Sequence, residues 1–437
     1  MRQQKEKIPT ALDVAGEVRD FYERYPYPEP VENLDLYGLR WDDPQKRRAD
    51  YHLFWPASSY REDFTILVAG CGTSQAARHA IRWPKAQVTG IDFSATSVHC
   101  TEELKRKYNL NNLQLKQLPL ERTEELGGSF DQIVCTGVLH HMPDPDAGLT
   151  ALRNVLRLDG AMHLMVYAPY GRTGIYMLQE FCRRLGINAG DKGIKELIVA
   201  LKLLPPEHPL GNLLREAPDF RHEAALADAL LNPQDRAYSV PQLIDFLKRS
   251  GLVFGRWVKQ GPYAPQCGIM SQIPQASLLS ALPPQEQYAV VELFRGTMLR
   301  HSTIAYRDDS PASLNHVSFS SEDWISYVPI PMPDTVVVQE RLPAGVSAVL
   351  INRAHSFRDL YLPINATEKL LFDAIDGQST IRDIVHRTFS SLNKNTQFDM
   401  ARSFFEQLFL YDQVVFDTSC SFCGGPGFSK GGGKRTG

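Results

Sequence analysis

Residues 64–92, FTILVAGCGTSQAARHAIRWPKAQVTGID, constrain the fold more than any other part of this chain. An apolar run meets a glycine turn, an amphipathic stretch follows and stops before Pro84, and a second apolar run ends on Asp92. Strand, glycine turn, helix, strand and acid in that order make a βαβ unit, and a parallel strand pair needs such a crossover. The alternation continues downstream. Strands are predicted over 65–69, 87–92, 113–118, 130–136 and 161–166. Helices over 73–83, 95–108 and 146–156 separate them, with a turn at Asp159-Gly160 before the fifth strand.

The pattern resumes at Ser239, a good N-cap with Pro241 in the first helical turn and Gly251 after the last. A strand over 252–258 follows. Residues 167–238 therefore read as a largely helical insertion, best over 175–185 and 194–204 and broken at Pro205-Pro206. The expected fold class is α/β, a parallel sheet covered by helices on both faces.

The rest of the chain divides by composition. A length of 437 residues suggests two or three domains. Residues 1–60, with Tyr25-Pro26-Tyr27-Pro28 at their centre and a short helix over 14–25, read as a cap on the α/β domain at 61–275. Residues 276–358 read as a connecting region with one helix near 285–300. Residues 359–418 read as a small α+β, winged-helix-like domain of three helices and a strand. Its first helix carries capping-box spacing, Asn365 to Glu368. The glycine-rich segment 419–437 is expected to be disordered.

Charge and cysteine usage exclude several classes. A net charge of −3 argues against a nucleic-acid partner or a polybasic membrane role. No apolar run approaches the ~18 residues of a spanning helix, and the first ten residues lack an apolar signal core. A cytoplasmic location is expected. Seven scattered cysteines do not suggest a disulfide framework. Cys420 and Cys423 form a lone CxxC with no second pair nearby, so no metal site is expected.

Gly70 and Gly72 allow a tight turn and close ligand approach. The helix that begins at Thr73 presents free N–H groups. Asp92, 20 residues beyond Gly72, can accept hydrogen bonds from both hydroxyls of a ribose. A dinucleotide-binding GxGxxG would need a third small residue where Gln75 stands, which counts against NAD.

With these residues in place, the segment 60–275 resembles the class I S-adenosylmethionine-dependent methyltransferases. The matching pieces are VAGCGTS, GIDFS, FDQIVCTGVLHHMPDPDAGL, RLDGAMHLMVY and SVPQLIDFLKRSGLVFGRW. The phrases GVLHHMPDP, LNPQDRAYSVPQL and YPYP are similar to a bacterial subgroup of unassigned substrate. The resemblance implies a seven-stranded Rossmann-like sheet with an antiparallel last strand, and S-adenosyl-L-methionine as cofactor. It implies cofactor contacts from Ala69, Gly70, Cys71, Gly72, Asp92, Phe93, Gln117, Leu118, Thr136 and Gly137. Val68 stands where the family often has an acid, and Ser74 where it often has a glycine.

Transfer from a sulfonium needs an aligned nucleophile and, for a protonated acceptor, a base. His140 and His141 follow the fourth strand and are the candidate bases; two adjacent histidines point in different directions, so one is expected to pack in the core and the other to be half exposed. Tyr25, Tyr27, Tyr167, Tyr170 and Arg172 are candidate acceptor contacts, each weighed against packing or a surface ion pair. Arg236 and Tyr238 are expected to return the insertion to the same rim as structural residues.

The run NATEKLLFDAIDGQSTIRDIV is loosely similar to the peptide-carrier domains of ribosomal peptide maturation, such as that of pyrroloquinoline quinone biosynthesis. That similarity implies a peptide partner along a strand edge. A DNA-binding winged helix competes poorly, because 359–418 hold nine acidic against five basic residues. The function expected is methyl transfer to an O or N atom of an unidentified small-molecule or peptide acceptor. The competing reading is a module that binds S-adenosylmethionine without turnover.

Overall fold

The computed structural model describes residues 11–216, 222–310, 316–389 and 394–419. The chain forms two compact units. The first comprises the described residues of Met1–Arg47, Arg61–Leu314 and His355–Leu360; the second comprises those of Arg48–Tyr60, Asn315–Ala354 and Tyr361–Gly437.

The first unit opens with α1 (Ala11–Arg24) and α2 (Asp35–Trp41); α3 (Pro44–Phe54) runs across the boundary into the second. Then come β1 (Thr65–Ala69), α4 (Gln75–Arg82), β2 (Gln87–Asp92), α5 (Ala95–Lys107), β3 (Leu113–Gln117), β4 (Phe130–Thr136), α6 (Pro145–Val155) and β5 (Leu156–Tyr167). The insertion contributes α7 (Thr173–Leu185), α8 (Asp191–Leu201), α9 (Pro209–Glu216) and α10 (Glu223–Leu231). The unit closes with α11 (Val240–Arg249), β6 (Leu252–Trp257), α12 (Ala276–Ser280), α13 (Pro284–Arg295) and β7 (Arg300–Arg307).

Among the described residues, seven strands form one sheet in the order β3-β2-β1-β4-β5-β7-β6. Strands β1 to β5 are parallel to one another, and β7 runs antiparallel between β5 and β6. Position explains sequence here. Central β1, TILVA, is covered on both faces, and its last four residues are fully buried. Edge strand β3, LQLKQ, carries Gln114, Lys116 and Gln117 exposed to solvent.

Two expectations are corrected. The seventh strand lies at Arg300–Arg307, inside the region read as a connection, so the sheet domain does not end at residue 275. The Asp159-Gly160 turn is not a turn: β5 runs through it, with a register shift against β4 between Phe130 and Gln132. A Cβ at Gly160 would lie 2.9 Å from the Asp131 carbonyl oxygen, so glycine serves close strand approach at this bulge.

The second unit holds β8 (Val328–Pro331), β9 (Thr335–Val338), β10 (Ala348–Asn352) and β11 (Tyr361–Ile364), then α14 (Ala366–Asp373), α15 (Ile381–Thr388), α16 (Lys394–Leu410) and β12 (Val414–Asp417). Strands β11-β10-β9 form an antiparallel sheet, and β12 pairs with β8. Its core includes Leu350, Leu371, Ile384, Phe404, Phe405 and Phe416. The unit is thus larger than the 359–418 read from sequence, and it recruits residues from the supposed cap: Arg48 Nη2 lies 2.7 Å from Asp417 Oδ2. The α14 capping box forms as expected, Asn365 Oδ1 accepting from Thr367 and Glu368 N–H and Glu368 Oε2 from Asn365 N–H. The CxxC and the glycine-rich tail from Gly424 lie outside the described residues. Among the described residues no helix is long and apolar enough to cross a membrane.

Candidate functional site

Gly70 and Gly72 lie in the loop after β1 with φ of +70° and +52°, conformations that favour glycine. A Cβ at Gly70 would stand 2.2 Å from Val138 Cγ2, so the loop after β4 closes directly over it. Between the glycines, Cys71 N–H donates to the Ile91 carbonyl at 2.8 Å, and burial pushes its thiol pKa up. The Thr101 hydroxyl donates to the Gly72 carbonyl at 2.9 Å, joining α5 to the loop.

Asp92 ends β2 and is 8 % exposed. Its Oδ2 accepts from Gly72 N–H at 2.9 Å and its Oδ1 from Ser94 N–H at 3.0 Å. Burial raises its pKa to about 6. Beside it, Leu118 N–H donates to the Asp92 carbonyl at 2.8 Å, and Gln117 Nε2 to the Phe93 carbonyl at 3.0 Å. At the tip of β4, Thr136 Oγ1 accepts from Gln75 Nε2 at 2.7 Å, and Gly137 has φ +82°. Ala69, Gly70, Cys71, Gly72, Asp92, Phe93, Gln117, Leu118, Thr136 and Gly137 therefore line the carboxyl ends of four adjacent strands, where ligands of open α/β sheets bind.

The N-terminal segment reaches this rim. The Thr73 hydroxyl donates to the Pro28 carbonyl at 2.8 Å, and a Cβ at Gly72 would lie 3.5 Å from Pro28 Cδ and 3.6 Å from the Tyr27 carbonyl oxygen. Glu23 accepts from Ala95 N–H at 2.6 Å and Thr96 N–H at 3.2 Å, capping α5.

A second cluster stands at the tips of β4 and β5. Asp228 of α10 is buried, with Oδ1 accepting from the Tyr22 hydroxyl at 2.6 Å and Oδ2 from the Tyr167 hydroxyl at 3.2 Å. Asn232 Nδ2 donates to the Tyr22 hydroxyl at 3.1 Å. His141 Nδ1 is 2.6 Å from the Gln234 carbonyl, and its Nε2 is 3.9 Å from Asp228 Oδ1. Burial first, and Asp228 second, hold the Tyr22 and Tyr167 hydroxyls protonated. The Tyr22 ring lies 6.3 Å from Phe93 and 6.0 Å from His141, which links the two clusters.

The sequence candidates fall unequally around this cluster. His140 is fully buried, with its ring 3.9 Å from that of Tyr167 and neither ring nitrogen hydrogen-bonded; burial pushes its pKa down. The expected split into one core and one half-exposed histidine is corrected: His141 is buried as well, at 4 % exposure, and differs from His140 in having a partner for its Nδ1. Tyr25 donates to the Ala189 carbonyl at 2.9 Å and packs with Phe21, Ile194 and Ala227, so it fastens the cap to the insertion. Tyr27 is half-buried and lies within electrostatic reach of Tyr167. Tyr170 is 40 % exposed and stands outside the cluster. Arg172 is an internal ion pair, 3.1 Å from Asp235, with its guanidinium 3.5 Å from the centre of the Tyr167 ring. Tyr238 N–H donates to the Tyr167 carbonyl, so 236–238 brace the end of β5.

Sequence reasoning missed Tyr22, Asp228 and Asn232. A signal existed for Asp228: it is the one acid inside the apolar run AALADALL of α10. A carboxylate amid such a run is expected to have buried partners.

A family model described as a methyltransferase domain matches residues 67–162. The ubiquinone biosynthesis O-methyltransferase of Glaesserella parasuis is 30% identical over 172 residues, 34% of this chain and 67% of that protein. The chain belongs to the class I S-adenosylmethionine-dependent methyltransferases. An uncharacterised protein of Synechococcus sp. is 30% identical over 292 residues, 64% of this chain and 69% of the relative. A tRNA U34 carboxymethyltransferase of Actinobacillus succinogenes is 30% identical over 131 residues, and the match covers 40% of that enzyme. The solved structure of PKMT2 from Rickettsia typhi shares the fold, with a TM-score of 0.61 at 15% identity over 86% of this chain and 76% of that one.

The cofactor of this methyltransferase is S-adenosylmethionine, and the rim is chemically suited to it. The Asp92 oxygens meet backbone N–H groups and no cation among the described ion pairs, which leaves lone pairs for two ribose hydroxyls. A Cβ at Gly137 would meet only Met165 Cε, at 3.7 Å, so the β4 tip leaves room for close approach. Val68, where an acid is frequent in the family, is buried in β1 between Gly90 and Val134 and offers no polar contact.

Proposed function

We propose that this enzyme methylates an oxygen or nitrogen atom of an acceptor bound between α1, the tips of β4 and β5, and the insertion helix α10. The acceptor is a small molecule or a peptide. The observation that carries the reading is Asp92, a buried carboxylate aimed along the Gly72 loop from the tip of β2. In this reading Asp92 holds the ribose. Gly70, Cys71 and Gly72 hold the methionine portion through the backbone, Phe93, Gln117 and Leu118 border the adenine, and Thr136 and Gly137 border the sulfur. Bound there, S-adenosylmethionine supplies a methyl group already activated on a sulfonium.

The chain's own residues do the remaining work. Tyr22 and Tyr167 shape the acceptor side and help exclude water, which strengthens the electrostatics of the site. His141, rather than His140, is the base. A carbonyl only accepts, so the contact with Gln234 places the His141 proton on Nδ1 and leaves the neutral ring's lone pair on Nε2. In the second unit, β9 and β11 are the edges of the three-stranded sheet and offer the strand geometry for a peptide.

Calorimetry with S-adenosylhomocysteine tests the site. Asp92→Ala removes two charge-assisted hydrogen bonds, about 3 kcal/mol together, so affinity falls roughly a hundredfold. Unchanged affinity would remove Asp92 from the site. Incubation with methyl-tritiated S-adenosylmethionine and cell extract, followed by fractionation, shows whether label enters polypeptide or small molecules.

A further inference from the structure

Asp228 is a buried carboxylate with an unusual set of partners. Two tyrosine hydroxyls donate to it, one from α1 and one from the tip of β5, and Asn232 Nδ2 lies 3.3 Å from its Oδ1. Among the described residues no lysine or arginine pairs with it; the neighbouring Arg172 is engaged by Asp235. Its side chain is 4 % exposed, and among the described residues the one ionisable nitrogen paired with it is His141 Nε2, at 3.9 Å. A buried carboxylate without a cation is costly. Its balancing charge arises when His141 gains a proton.

We propose that Asp228 is a positioning residue for methyl transfer, a fixed negative charge placed where the imidazolium of His141 forms. The inference rests on His141 being the base of the function proposed above. In the step it supports, the acceptor's O–H or N–H proton passes to Nε2. The acceptor's electron pair forms the bond to the methyl carbon, and the former carbon–sulfur pair stays on sulfur, ending its positive charge. One positive charge moves from the sulfonium to the His141 ring, beside Asp228. Among the described residues, the charged and titratable groups facing that ring are Asp228 from α10, Tyr22 from α1, Tyr167 from β5 and the adjacent His140. Of these, Asp228 alone supplies negative charge. Tyr22, Tyr167 and Asn232 hold its oxygens in place, so the charge needs no reorganisation as the proton arrives.

Three measurements on the full chain test this. Nitrogen-15 histidine spectra of the wild-type protein, with His141→Gln identifying the signal, should show the neutral ring protonated on Nδ1. An Nε2–H ring would overturn the proposal without any Asp228 variant having to fold. Label transfer from methyl-tritiated S-adenosylmethionine into a fixed amount of extract, at varied cofactor concentration, should show a maximal rate ten- to a hundredfold lower in Asp228→Asn. The cofactor KM should be unchanged, and Asp228→Glu should recover part of the rate. Affinity for S-adenosylhomocysteine should stay within about threefold of wild type. A full rate in Asp228→Asn, or a rate lost together with cofactor affinity, would overturn the proposal. Wild-type protein that binds no S-adenosylhomocysteine or labels nothing would instead contradict the function proposed, whatever the histidine spectra show.

Discussion

Asp92 and Gly70 show how single residues carry this site. Asp92 has a pKa of about 6, raised by burial above the ordinary aspartate value. The folded state therefore holds the proton more tightly than the unfolded chain between about pH 4 and pH 6. The stability this group contributes is present below pH 4 and is lost as pH rises through 6. Urea midpoints measured from pH 4 to pH 7 should show that decline, and Asp92→Asn should flatten it. Cofactor affinity runs the other way. Ribose hydroxyls donate to the ionised carboxylate, so S-adenosylhomocysteine should bind about tenfold more tightly at pH 7 than at pH 5, and with little pH dependence in Asp92→Asn. Gly70→Ala meets two penalties, the positive φ and the 2.2 Å approach to Val138. It should cost about 2–4 kcal/mol in denaturant titration. Val138→Ala in the same chain should recover the steric part and leave the backbone part. The glycines and the acid were legible from their spacing. The contact with Val138 was not, because 68 residues of chain separate the two.

Elements differ in how well their patterns announce them. Strands β1, β2 and β4 and helix α5 were readable within a residue or two, since buried parallel strands are continuous apolar runs and helices carry their own caps. Strand β7, RHSTIAYR, was not. It places His301 and Thr303 in the core; His301 Nε2 is 3.0 Å from Glu292 Oε1 and its Nδ1 is 2.7 Å from the Tyr263 hydroxyl. Polar residues satisfied by distant partners erase the apolar signature that sequence reading depends on. A chain ended at residue 275 would strip β7 from between β5 and β6, exposing one edge and leaving the other strand unpaired. Such a fragment should be insoluble or bind no S-adenosylhomocysteine, whereas the full chain binds. At the other end of the domain, Glu23→Ala leaves the Ser94 N-cap of α5 in place but removes the acceptor of the Ala95 and Thr96 N–H groups, and should cost about 1 kcal/mol. Faster amide hydrogen exchange at Ala95 and Thr96 would report it.

The whole chain is two units, each with its own buried core, and their segments alternate along the sequence. Residues 48–60 belong with the C-terminal unit, where Arg48 pairs with Asp417 and donates to the Gly377 carbonyl. A fragment of 315–437 alone should therefore melt at lower temperature than the same fragment supplied with 48–60, as circular dichroism can show. The sequence by itself determined the α/β class, the glycine loop, Asp92 and the methyltransferase kinship, because these depend on contacts between neighbours in the chain and on strand-to-strand periodicity. The tertiary structure alone decided that both histidines are buried and only His141 has a hydrogen-bond partner on its ring, where the seventh strand comes from, and that Asp228 meets Tyr22, Tyr167 and His141. Those outcomes depend on burial and on partners brought from four separate elements, and no local pattern encodes the closing of such distances.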